Sequence, residues 1–146
     1  MKRHLILPIV FAIVGTTHAQ TDPVPPSGAV ITFETTEHDY GTVEQASNGT
    51  CTFNFTNTGK EPLIISNCQS SCGCMVARCD RDPVLPGKSG VVEVKYDTQR
   101  VGPFTKNVTV VSNAVNAPTV ALRIKGTVIP KAIEARPAAT TGSEVR

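Results

Sequence analysis

From Thr50 to Asn57 the chain reads TCTFNFTN, with Cys51, Phe53 and Phe55 on one side of a pleat and Thr52, Asn54 and Thr56 on the other. That period of two is the signature of a strand with one buried and one wet face. The same alternation recurs in VVEVKYD, where Val92, Val94 and Tyr96 point inward against Glu93 and Lys95. It recurs again in TVALRIKG, with Val120, Leu122 and Ile124 inward against Arg123 and Lys125. PFTKNVTVVSN fits the scheme with Phe104, Val108 and Val110 inward. No segment of the central chain shows a sustained helical period.

Turn residues separate these runs. NTGKEP offers Gly59 as a position for a positive φ, and PGKSG and NAVNAP punctuate the chain later. VITFE, TCTFNFT, PLIIS, VVEVKYD, FTKNVTVVS and TVALRIKGTV are the clear strands, and HDYGTV makes about seven. Short strands at this spacing predict an all-β fold, a two-sheet antiparallel sandwich over residues 30–129.

The ends differ from this core. Lys2 and Arg3 precede the apolar run LILPIVFAIV and then GTTHA, which predicts a signal peptide over 1–19 with cleavage after Ala19. The run is too short to span a bilayer, so the mature chain is expected outside the cytoplasm, periplasmic or secreted, and not membrane-spanning. Residues 20–29 read as a proline-rich linker, and 130–146 read as a disordered tail. The formal charge is +2, and loss of Lys2 and Arg3 leaves the mature chain near neutral. No basic cluster remains to suit nucleic acid or an anionic membrane.

HDYGTV, FNFTNTGKEPLIIS, SSCGC, LPGKSGVVEVKYDT, GPFTKNVTVVSN and ALRIKGTV, in that order, resemble domain-of-unknown-function family 1573. The resemblance covers nearly all of Val30 to Val128. It implies an immunoglobulin-like sandwich of the kind used for scaffolding or docking, in secreted proteins of Bacteroidetes and related bacteria, with no catalytic activity. The family pattern often has threonine where this chain has Met75, and Cys68 and Cys79 stand beyond it.

NCQSSCGCMVARC holds four of the five cysteines. Cys68, Cys72, Cys74 and Cys79 are spaced x3, x1 and x4, without the short-spaced knuckles of structural zinc. Copper(I) has the alternative set Cys72, Cys74 and Met75, two thiols and a thioether that suit a soft ion. Redox exchange usually starts from a C-x-x-C pair at a helix N-terminus, a lever that a helix-free chain lacks. Export favours disulfides, and closing an eleven-residue loop from Cys68 to Cys79 stabilises by roughly 3 kcal/mol in the chain-entropy model. Cys72 with Cys74, or either of them with Cys79, are other pairings that spacing leaves open. Cys51 is expected to be a buried free thiol, since its strand phase sets it beside Phe53 and Phe55.

Other chemistry is sparse. His38 beside Asp39 has no local nucleophile to activate, and Asp80 and Asp82 read as a solvated turn. Three sequons, at Asn48, Asn54 and Asn107, matter only in a glycosylating host. Tryptophan is absent, which disfavours a carbohydrate platform. The expectation is a non-enzymatic module without a cofactor, whose partner is a protein or a cell-envelope component.

Overall fold

The computed structural model describes residues 27–132. The expected signal peptide, residues 20–26 of the expected linker and residues 133–146 of the expected tail lie outside the described residues. Eight strands form: β1 Ile31–Phe33, β2 Glu37–Glu44, β3 Thr50–Asn57, β4 Ile65–Ser70, β5 Met75–Cys79, β6 Ser89–Tyr96, β7 Gly102–Ser112 and β8 Thr119–Ile129. They make two four-stranded sheets, in the orders β1-β3-β6-β5 and β2-β8-β7-β4.

The alternation seen in the sequence is the reason the sheets pack. Phe53, Val92 and Val94 from the first sheet and Val108, Leu122 and Ile124 from the second are all wholly buried. Each such side chain gains about 1.5–3 kcal/mol from leaving water. Val120, expected inward with them, is only partly covered. Tyr96 on β6 stacks on Phe104 of β7 with ring centroids 3.9 Å apart, so an aromatic pair joins the two layers.

Three expectations are corrected. The sandwich is not wholly antiparallel, because β2 runs parallel to β8. A link of three residues carries the chain from β1 in one sheet to β2 in the other, where it meets the last strand. Period-two patterning is the same in either direction, so it could not have told the two apart. The strand expected at PLIIS begins at Ile65 and extends through Cys68, while Leu63 makes an isolated bridge to Val84. Gly59 does not take a positive φ. It is glycine because a Cβ there would collide with the backbone of Gly28 and Val30.

HDYG acquires a physical reading. Gly41 has φ 61°, and the β2–β8 register shifts between Asp39 and Thr42. The Gly41 N–H donates to Asp39 Oδ1 at 2.7 Å, closing the bulge. The bulge aims Tyr40 so that its hydroxyl donates to the Gly49 carbonyl at 2.7 Å.

Candidate functional site

The cysteine cluster lies where both sheets end on one side. β4 is an edge of one sheet and β5 an edge of the other, and each pairs with a neighbour on one side only. Cys68 stands opposite Val110 on β4, and Cys79 stands opposite Val92 on β5. Their sulfurs are within bonding distance, with Cα atoms 6.2 Å apart. The bridge thus crosses from one layer to the other at the open flank. β5 is absent from the strands expected from the sequence, although MVARC alternates with Met75, Ala77 and Cys79 inward; with five residues and one large apolar side chain on that face, its period is weak.

Ser71 to Cys74 forms the turn between the two edges. Cys72 and Cys74 are also within bonding distance of each other, with Cα atoms 5.2 Å apart. The turn is pinned at both ends. The Ser71 N–H donates to the Asn107 carbonyl at 3.0 Å, and the Asn107 N–H donates back to Ser71 Oγ at 3.2 Å. The Asp97 N–H donates to the Cys74 carbonyl at 2.9 Å. Within the turn, Ser70 Oγ donates to the Cys72 carbonyl at 3.0 Å. The Cys74 N–H donates to Cys72 Sγ at 3.3 Å. Cys74 is buried, whereas Cys72 is only partly covered.

Two hollows flank the cluster. One, of about 520 Å³, is bordered by Cys74, Met75, Val76, Arg78, Lys95 and Tyr96, among others. The other, of about 340 Å³, lies along the Cys68–Cys79 bridge and includes Arg78 and Arg81.

The soft-metal set is not presented in this form. Cys72 and Cys74 are engaged with each other, and Met75 is buried in the core. Among the described residues no three His, Cys, Asp or Glu side chains gather to hold an ion. Asp80 and Asp82 are both exposed. His38 meets the Tyr40 ring edge-on at 4.6 Å, which gives its imidazole a packing partner. Cys51 is free and buried on β3, and burial pushes its thiol above the ordinary range. It therefore stays protonated and behaves as a small apolar group.

The two bonds differ in what they constrain. Replacing Cys68 and Cys79 together by serine is expected to lower stability by about 3 kcal/mol. The same exchange at Cys72 and Cys74, which closes a far smaller ring, is expected to cost roughly half as much. Urea unfolding of the two double variants checks the order, and equal losses would contradict it.

No curated protein matches the chain. Among solved structures, a Porphyromonas gingivalis protein of unknown function is similar over 68% of this chain and 46% of its own, at 19% identity and TM-score 0.62. The human CEP192 ASH/PapD-like domain 7 is similar over 81% of this chain and 98% of its own, at 10% identity and TM-score 0.60. The Vibrio cholerae VesB protease is similar over 66% of this chain and 31% of its own, at 14% identity and TM-score 0.55. The chain thus spans less than half of both bacterial proteins, and these likenesses define a fold alone. The model of the family described as "Protein of unknown function (DUF1573)" matches residues 31–128, nearly the whole sandwich. The chain belongs to the DUF1573 family.

Proposed function

We propose that this chain is an exported, non-enzymatic sandwich module that docks a protein or cell-envelope component through the β4–β5 flank. The observation that carries the reading is β5 itself, which pairs on one side only and leaves Val76 56% exposed. A free strand edge offers backbone donors and acceptors to an added strand. The other edges are poorer templates. β1 has three residues, and β2 is bulged at Gly41 and carries Glu37 and Asp39, which pair with Lys125. Two cysteine pairs within bonding distance support an oxidising compartment, and the apolar run near the start supports export. Near-neutral mature charge weighs against nucleic acid as the partner.

The test is a photo-crosslinking residue placed at Val76 on β5, or at exposed Thr105 on β7, in the cells that make the protein. Discrete crosslinked species are expected from position 76 and not from position 105. Identical patterns from both positions would overturn the reading.

A further inference from the structure

The two cysteine pairs share one hairpin, yet their surroundings suit different tasks. Cys68 and Cys79 sit on strands and tie two layers together. Cys72 and Cys74 are separated by one residue within a turn that is already held by Ser71, Asn107 and Asp97. A bond there adds less than the Cys68–Cys79 bridge does, because its ring is small and those hydrogen bonds already hold the turn. The two sulfurs are also unequal. Cys74 is 6% exposed, whereas Cys72 is partly open to solvent. The Cys74 N–H points at Cys72 Sγ, a donor that supports negative charge on that sulfur without a helix. The hollow of about 520 Å³ begins at Cys74 and runs past Val76 of the free β5 edge. Arg78 and Lys95 stand there with Glu93 and Asp97, a mixed-charge lining that suits a polypeptide.

From this arrangement we infer that Cys72–Cys74 is a thiol–disulfide exchange site for a cysteine-bearing polypeptide seated along β5. Cys72 is the sulfur attacked and Cys74 the resolving one. A thiolate of the bound polypeptide attacks Cys72 Sγ along the S–S axis. The Cys72–Cys74 bond breaks, its electron pair goes to Cys74, and Cys74 takes a proton from solvent. A mixed disulfide now joins the polypeptide to Cys72. A second thiol of the polypeptide loses its proton to water and attacks the polypeptide sulfur of that mixed disulfide, releasing Cys72 as thiolate. The polypeptide dithiol is oxidised to a disulfide, and the Cys72–Cys74 pair is reduced by the same two electrons. In the reverse direction the Cys72 thiolate attacks a polypeptide disulfide and Cys74 closes the cycle. The seating along β5 rests on the docking reading; the exchange chemistry does not.

The test uses the oxidised full chain and reduced glutathione as the probe. After exposure to graded ratios of glutathione and its disulfide, thiols are trapped by alkylation and assigned by peptide mass mapping. Cys72–Cys74 is expected to open at least tenfold faster than Cys68–Cys79. In the Cys74→Ser variant, glutathione disulfide is expected to load Cys72 at least tenfold faster than it loads Cys74 in Cys72→Ser. Equal opening of the two bonds, or equal loading of the two variants, overturns the inference. An intact Cys68–Cys79 bridge in each variant reports that the hairpin has formed, and the wild-type titration decides alone if a variant does not fold. No docking partner takes part, so failure here leaves the Val76 crosslinking result standing. A silent Val76 crosslink beside fast exchange removes the docking reading and keeps the exchange site.

Discussion

Replacing Asn57 with alanine is expected to cost about 4 kcal/mol, although the residue is polar and stands outside the cysteine flank. Asn57 closes β3 and is wholly buried. Its Nδ2 donates to the carbonyls of Glu61 at 2.7 Å and Val84 at 2.8 Å. Its Oδ1 accepts from the N–H groups of Gly59 at 3.0 Å and Val30 at 3.3 Å. One amide thus satisfies four backbone groups from three separate stretches: the approach to β1, the β3–β4 turn and the approach to β6. Alanine strands three of them, the N–H groups of Val30 and Gly59 and the carbonyl of Glu61, while the Val84 carbonyl keeps the Leu63 N–H. A buried group left without a partner costs about 1–3 kcal/mol, and partial rehydration keeps the total below the sum. Urea unfolding should show a lower midpoint at unchanged slope. A loss under about 1 kcal/mol would mean the network is dispensable.

Phe53→Ala is expected to lose a similar amount, about 4 kcal/mol, by a different mechanism. Phe53 lies midway along β3, opposite Val92, with none of its side chain exposed. Truncation removes its transfer free energy and leaves a cavity between two sheets that cannot collapse while β3 stays hydrogen-bonded to β6. Val76→Ala on exposed β5 serves as the control, with an expected change within about 0.5 kcal/mol. Equal losses at the two sites would show that the sandwich interior is not the main source of stability.

Much of this core was legible from alternation alone. Cys51, Phe53, Phe55, Val92, Val94, Tyr96, Leu122 and Ile124 are buried, as their strand phase requires. Direction and pairing were not legible. A period of two assigns faces but not neighbours, so nothing in HDYGTV announces that β2 lies parallel to β8. Asn57 read as an ordinary turn residue because its partners lie at positions 30, 59, 61 and 84, three of them outside its own turn or at its far end. The candidate site was half visible. The sulfur-rich segment could be located, and an eleven-residue loop from Cys68 to Cys79 could be named. What could not be foreseen is that Cys68 and Cys79 sit on edge strands of opposite sheets. Nor could the sequence reveal that a backbone N–H, rather than a helix terminus, would face Cys72 Sγ.

The parallel pairing has a kinetic corollary. β2 has one neighbour, β8, which closes more than eighty residues later. A nascent polypeptide that emerges from its N-terminal end can assemble β3 with β6 early, but β2 waits unzipped until Ile129 arrives. Ring closure over so long a span is slow compared with hairpin formation. Completion of the second sheet is therefore the last event of vectorial folding, and the central pair of the first sheet forms ahead of it.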